Sequence, residues 1–88
     1  VYHLSQSFYV YILYSLSKDK YYIGSCENVD IRLIRHNSGR NHSTKSGIPW
    51  ELKKIEVYNS RSEAYQREVF IKRMKSRKFI EQVIAGER

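Results

Sequence analysis

Eighty-eight residues, 41% hydrophobic and 14% aromatic, suffice for one small domain (residues 1–88) and argue against a disordered chain. Sixteen Lys and Arg against nine Asp and Glu leave a net charge of +7, a field that attracts polyanions, nucleic acid first. No run nears the roughly 20 apolar residues that cross a bilayer, no basic-then-apolar leader opens the chain, and Cys26 has no second cysteine to pair with, so a cytoplasmic protein with no membrane partner is expected.

Residues 1–7 carry no clear pattern and read as an extension or a frayed first strand. From Phe8 to Tyr14 the chain is aromatic and β-branched, the composition of a strand. Ser15 to Asp19 supplies turn chemistry, and Lys20 to Gly24 reads as the returning arm of a hairpin. Glu27-Asn28 opens a helix, with Asn28 as its cap and Asp30 in its first turn; Asn37-Ser38-Gly39 stops it. Residues 39–49 are polar and hold two glycines and the sole proline, a loop rather than a further element.

Trp50 to Tyr58 reads as a third strand with Leu52, Ile55 and Val57 as its apolar positions. The alternation slips at Lys53-Lys54, which predicts a bulge or an edge position. Ser60-Arg61-Ser62-Glu63 is a capping box that starts a helix running to Met74 or Lys75. Ser76 caps a last helix over Arg77 to Ala85, with Phe79, Ile80, Val83 and Ile84 on its apolar face and Gly86 at its end. The order β-β-α-β-α-α predicts an α+β fold, a small three-stranded antiparallel sheet flanked by helices.

Acidic residues are few and scattered, so hydrolysis of a phosphodiester would rest on one carboxylate and one metal ion rather than on a carboxylate cluster. Glu68 is the candidate: four residues after Ala64 and three before Ile71, it lies on or beside an apolar helix face, where a carboxylate is unusual unless paired or metal-bound. The alternative is an ordinary ion pair with Lys72 or Arg61. Arg32 and His36 share one face of the first helix; an arginine braces a phosphate with two donors, and His36 could bond the phosphate, relay a proton or end the helix. Lys72, Arg73, Lys75, Arg77 and Lys78 cluster within seven residues, a phosphate-contacting patch or a solvated helix face. His42 and Lys45 in the long loop are further candidates for the nucleic-acid backbone.

Tyr9-Val10-Tyr11, then Tyr22-Ile23-Gly24, then Arg32, His36 and the Arg67-Glu68-Val69-Phe70-Ile71-Lys72 segment occur in one order. In that order they resemble the GIY-YIG nucleases, from about Phe8 to Ile84, and most closely the short single-domain branch similar to the N-terminal domain of UvrC. The resemblance implies the same β-β-α-β-α-α fold and a metal-dependent DNA endonuclease, in repair or processing, with Mg²⁺ or Mn²⁺ held by Glu68. It makes Tyr11 and Tyr22 the paired tyrosines, one of them the base, and Arg32 and His36 site residues. Thr44 and Ile48-Pro49-Trp50 match further segments, with Trp50 read as core. The first motif has Tyr9 in place of its glycine, and Ser25 stands where the repair nucleases have a lysine.

Gly24 either lets backbone approach a ligand or makes a turn. Both tyrosines could equally be strand residues packing the core. A basic nucleic-acid-binding module without catalysis is the alternative function. RNA carries no signature that separates it from DNA here. A free-standing unit of this size could also require a homodimer or a repair-protein partner to cut two strands.

Overall fold

The computed structural model describes residues 6–88, so the first five positions of the expected N-terminal extension lie outside the described residues; Gln6 and Ser7 precede the first strand. The chain runs β1 (Phe8–Ser15), β2 (Lys20–Cys26), α1 (Val29–Asn37), β3 (Trp50–Tyr58), α2 (Arg61–Met74) and α3 (Arg77–Ile84). The strands form one antiparallel sheet in the order β2-β1-β3, an α+β fold as expected. The hairpin's second arm continues two residues past Gly24, and a 3₁₀ turn at Lys45–Gly47 interrupts the 39–49 loop.

Three side chains start the helices by accepting an otherwise unpaired backbone N–H: Asn28 from Ile31, Ser60 from Glu63 and Ser76 from Phe79. In the capping box the Ser60 hydroxyl also donates to the Glu63 carboxylate at 2.9 Å. Lys75, at a φ of 48°, breaks α2 from α3, and Gly86 at +82° follows the last helix.

β1 is the central strand and is covered on both faces, which is why Val10 to Leu13 are buried without alternation. Val10 and Ile12 pack with Ile23 of β2, Ala64 and Ile71 of α2, and Phe79 and Val83 of α3. Tyr11 and Leu13 face the other way, toward Cys26, Val29 and Trp50, with Leu33 and Ile48 beside them. The register pairs Tyr11 with Gly24 and Leu13 with Tyr22, so these four share that second face.

The slip at Lys53-Lys54 is a register shift: Ile12 pairs with Lys54 and Leu13 with Leu52, leaving Lys53 extra on β3, itself an edge strand. Through that bulge Leu52, Ile55 and Val57 fall on one face, yet only Leu52 reaches the core; Ile55 and Val57 are exposed beyond the cover of α1. Opposite them, Glu56 accepts from Arg67 of α2 at 2.9 and 3.2 Å and from the Tyr58 hydroxyl at 2.8 Å. Burial would raise the Glu56 pKa, but Arg67 and Tyr58 together hold it below the usual carboxylate value. Among the described residues no helix is long and apolar enough to cross a membrane.

Candidate active site

Two groups of polar residues lie on the two faces of β2, an edge strand among the described residues. Strand alternation turns Tyr22 and Gly24 toward α1 and Ser25 toward α2. On the α1 side, Tyr11 lies against Gly24 so closely that an added Cβ would sit 2.5 Å from the Tyr11 hydroxyl and 2.6 Å from its Cζ. Close approach of a side chain, rather than a turn, is therefore what requires glycine at 24.

The Tyr11 hydroxyl lies 3.0 Å from His36 Nε2, and His36 Nδ1 lies 3.0 Å from Thr44 Oγ1. Thr44 Oγ1 donates its proton to the Asn41 carbonyl at 3.4 Å, which leaves it to accept from Nδ1–H. That assignment makes Nε2 the acceptor of the Tyr11 proton, so a donor chain runs Tyr11 to His36 to Thr44 to Asn41. Burial, followed by the charges of Arg32 and Arg35, pushes the imidazole pKa below its ordinary value and keeps the ring neutral. His36 is buried and both its nitrogens are engaged. Of the three roles read from the sequence, direct phosphate contact does not fit this placement; the ring instead supports both tyrosines, a role not among the three.

The paired tyrosines occupy different environments. Burial, then the neighbouring Tyr22, drives the Tyr11 phenol pKa upward, against the opposing charge of Arg32. Tyr22 packs its ring 4.7 Å from His36 and 6.2 Å from both Tyr11 and Trp50. Its hydroxyl makes no hydrogen bond among the described residues, and no buried side-chain polar atom there lacks a partner, so the Tyr22 hydroxyl reaches solvent. Arg32, half-buried, stands beside Tyr11, Cys26 and His36 and pairs with no carboxylate among the described residues.

On the α2 side, the Glu68 side chain is only 12% exposed. Its Oε1 accepts from the Ser25 hydroxyl at 2.6 Å and its Oε2 from Lys72 Nζ at 2.6 Å. Arg61 is not its partner; that guanidinium pairs with Glu27. Ser25 was not singled out as a site residue. A strand drawn to Cys26 instead of Gly24 would have exposed its role, because alternation then aims it at α2.

The basic segment that is continuous in sequence is divided in space. Lys72, Lys75 and Arg77 line a groove of about 330 Å³ against Lys20 and Tyr21 of β2. Arg73, about 100° further round α2, turns away from that groove beside Tyr65 and Phe70. Arg77 is committed elsewhere: it donates to the Asp19 carbonyl at 3.0 Å and carboxylate at 2.6 Å, and to Glu81 at 3.3 Å. Lys45 opens the 3₁₀ turn and is exposed, as is Lys78.

Trp50 is core, as expected, and is fixed by groups the sequence did not advertise. The Asn37 amide clasps its backbone, donating to its carbonyl at 3.1 Å and accepting from its N–H at 2.6 Å. The indole Nε1–H donates to the Thr44 carbonyl at 2.8 Å. Among the described residues no three His, Cys, Asp or Glu side chains converge, so Glu68 stands as a lone carboxylate with a hydroxyl beside it.

A family model described as the GIY-YIG catalytic domain matches residues 7–80. A UPF0213 protein of Natronomonas pharaonis is 38% identical over 80 residues, 90% of this chain and 92% of that one. A UPF0213 protein of Bacillus licheniformis is 33% identical over 85 residues, 96% of this chain and 86% of that one. The solution NMR structure of a UPF0213 protein from Bacillus halodurans superimposes with a TM-score of 0.57 at 31% identity, covering 90% of this chain and 83% of that one.

Proposed function

The chain belongs to the GIY-YIG nuclease family, and on that premise we propose that it is a divalent-metal-dependent endonuclease that hydrolyses DNA phosphodiester bonds. One observation carries the reading: successive residues of β2, an edge strand among the described residues, serve its opposite faces, Gly24 the tyrosine cluster and Ser25 the Glu68 carboxylate. A phosphodiester laid across that edge has access to both.

Of the two tyrosines, Tyr22 is the one whose oxygen reaches solvent, so it is assigned to the attacking water. Its oxygen accepts the water proton and its own passes to solvent while the new P–O bond forms and the ester P–O bond breaks; the departing oxygen takes its proton from solvent. Tyr11 and His36 are positioning residues that hold the Tyr22 ring from behind. Arg32, which pairs with no carboxylate among the described residues and is always charged, faces the phosphoryl oxygens as their negative charge builds.

GIY-YIG nucleases generally use divalent metals. The donor set here, one carboxylate and a neighbouring hydroxyl, is hard oxygen and suits Mg²⁺ or Mn²⁺, ions that keep most of their waters and bind through one or two carboxylates plus phosphate. Glu68 would hold the ion, which supplies neutralising charge at the phosphate. Lys72, which bonds Oε2, also lines a basic groove with Lys20 and Lys75 that suits a phosphate.

A second reading has an observation of its own. Both Glu68 oxygens are occupied by Ser25 and Lys72, as in a basic nucleic-acid-binding module that does no chemistry. A cleavage panel of single-stranded, duplex, flapped and branched DNA with Mg²⁺ or Mn²⁺ separates the two. Cutting that vanishes in Glu68→Ala while salt-sensitive binding survives supports the nuclease; binding without cutting in either ion supports the module.

A further inference from the structure

A second concavity opens on the α1 side of the β2 edge, between the start of β2 and the 39–49 loop. It encloses about 140 Å³ and is lined by Tyr22, Trp50, Ser43, Ser46, Lys18 and Lys20. At roughly 30 Å³ per water that is the bulk of about five waters, the scale of one small ring system. We infer that this cavity is a nucleobase subsite, which receives one unpaired base of the strand whose phosphate lies at Tyr22. The inference rests on the nuclease reading and deepens it by naming what the site grips beside the cut.

The walls match a planar heterocycle. Tyr22 and Trp50 meet edge-to-face, their rings 6.2 Å apart at 63°, so they do not cover one another's faces by stacking. Half-buried Tyr22 offers the ring on which a base of any sequence can stack, with buried Trp50 as the wall behind it. The indole cannot swing away: Thr44 and Asn37 fix it, and the loop closes on it through Gly47, where a Cβ would fall 2.3 Å from Trp50 Cζ2. Such a preformed wall costs little ordering when a ligand arrives.

The rim is suited to the polar edge of a base and its phosphate. Ser46 makes no side-chain hydrogen bond among the described residues, and Ser43 donates to Asn41 Oδ1 at 2.8 Å, leaving its oxygen able to accept. Neither Lys18 nor Lys20 forms an ion pair among the described residues, and Lys20 also lines the groove on the α2 side. A base still paired in a duplex has no access to a recess of this kind, so the nucleotide it takes must be unpaired or flipped out.

The test is an NMR titration of the ¹⁵N-labelled chain, which has a single tryptophan and therefore one indole N–H signal. The probes are the four deoxynucleoside 5′-monophosphates, with deoxyribose 5-phosphate as the control that carries phosphate and no base. Saturable shifts of the Trp50 indole and of the Ser43 and Ser46 amides with the nucleotides alone are expected. Ser46→Phe fills the mouth from an exposed position and should weaken those shifts by about tenfold or more; its own spectrum reports that it folds. Equal shifts with the sugar phosphate, silence with all four nucleotides, or full binding by folded Ser46→Phe would each overturn the subsite. Failure of the nuclease reading shows separately, as absence of cleavage in the DNA panel, whereas intact cleavage with a silent Trp50 overturns the subsite alone.

Discussion

Replacing Gly24 with alanine tests the geometry on which the site depends. A Cβ there would lie 2.5 Å from the Tyr11 hydroxyl, 2.6 Å from Cζ and 3.0 Å from Cε1. Ordinary contact begins at 3.4 Å, so the ring must retreat by about 1 Å, and it is packed on all sides. Overpacking of this kind costs about 1–3 kcal/mol. The same retreat stretches the buried 3.0 Å bond to His36, worth about 1 kcal/mol more. A loss near 3 kcal/mol corresponds to a fall in Tm of roughly 12–24 °C for a domain of this size.

The sign is the decisive part. Gly24 is not at positive φ, so without the clash alanine would stabilise the chain by about 0.4–1 kcal/mol through the unfolded state. Urea unfolding followed by circular dichroism measures the difference. In a Tyr11→Leu background, whose side chain ends short of Cζ and the hydroxyl, the alanine should cost less than about 1 kcal/mol, the non-additivity expected of touching residues. A neutral or stabilising Gly24→Ala in the otherwise native chain would refute the close approach and the account of Tyr11 built on it.

Tyr22→Phe should abolish cleavage while leaving stability within about 0.5 kcal/mol, because its hydroxyl reaches solvent, whereas Tyr11→Phe should cost about 1–3 kcal/mol by stranding His36 Nε2; urea melts and the cleavage assay measure both. The folded-state pKa of His36 lies below its unfolded value, so the unfolded chain takes up the proton first. The His36 contribution is therefore complete above about pH 6.5 and is lost as pH falls from there toward the folded pKa, by at most about 1.4 kcal/mol per pH unit. Stability measured at stepped pH should show this slope in the native chain and not in His36→Gln. Lys20→Glu and Lys75→Glu should each reduce the slope of log affinity against log salt by about 0.9 on duplex DNA, read by fluorescence anisotropy, while Arg77→Ala should act mainly on stability because its partners are Asp19 and Glu81.

The fold was legible wherever its signals are local. Asn28, Ser60 and Ser76 marked the helix starts because a cap and the N–H it serves are three residues apart. The bulge at Lys53 announced itself as a broken alternation. The site was legible in its members but less so in their partners. Glu68 could be placed on an inner helix face from Ala64 and Ile71, and Lys72 beside it by helical spacing, but Ser25 is 43 residues away and depended on where β2 ends. The five clustered cations look like one patch in sequence; the turn of α2 and the 58-residue reach of Arg77 to Asp19 separate them. Burial of His36 was invisible because α1 presents it to a loop, and Thr44 is fixed there by the Trp50 knot.

The outer edge of β2, unpaired among the described residues, has a cost unrelated to catalysis. An unpaired strand edge is a template on which another extended chain can add, the usual beginning of aggregation, and proteins often cover or shorten such edges. Under the proposed function the edge stays open for substrate and has neither remedy, which leaves charge as the guard. Lys18 and Lys20 stand at the start of β2, with Lys72 and Lys75 alongside. These cations repel a second copy of the chain, so under the proposed function the residues assigned to nucleic acid also act as gatekeepers against self-association. Substitutions that reverse those charges should therefore be judged by solubility as well as by binding.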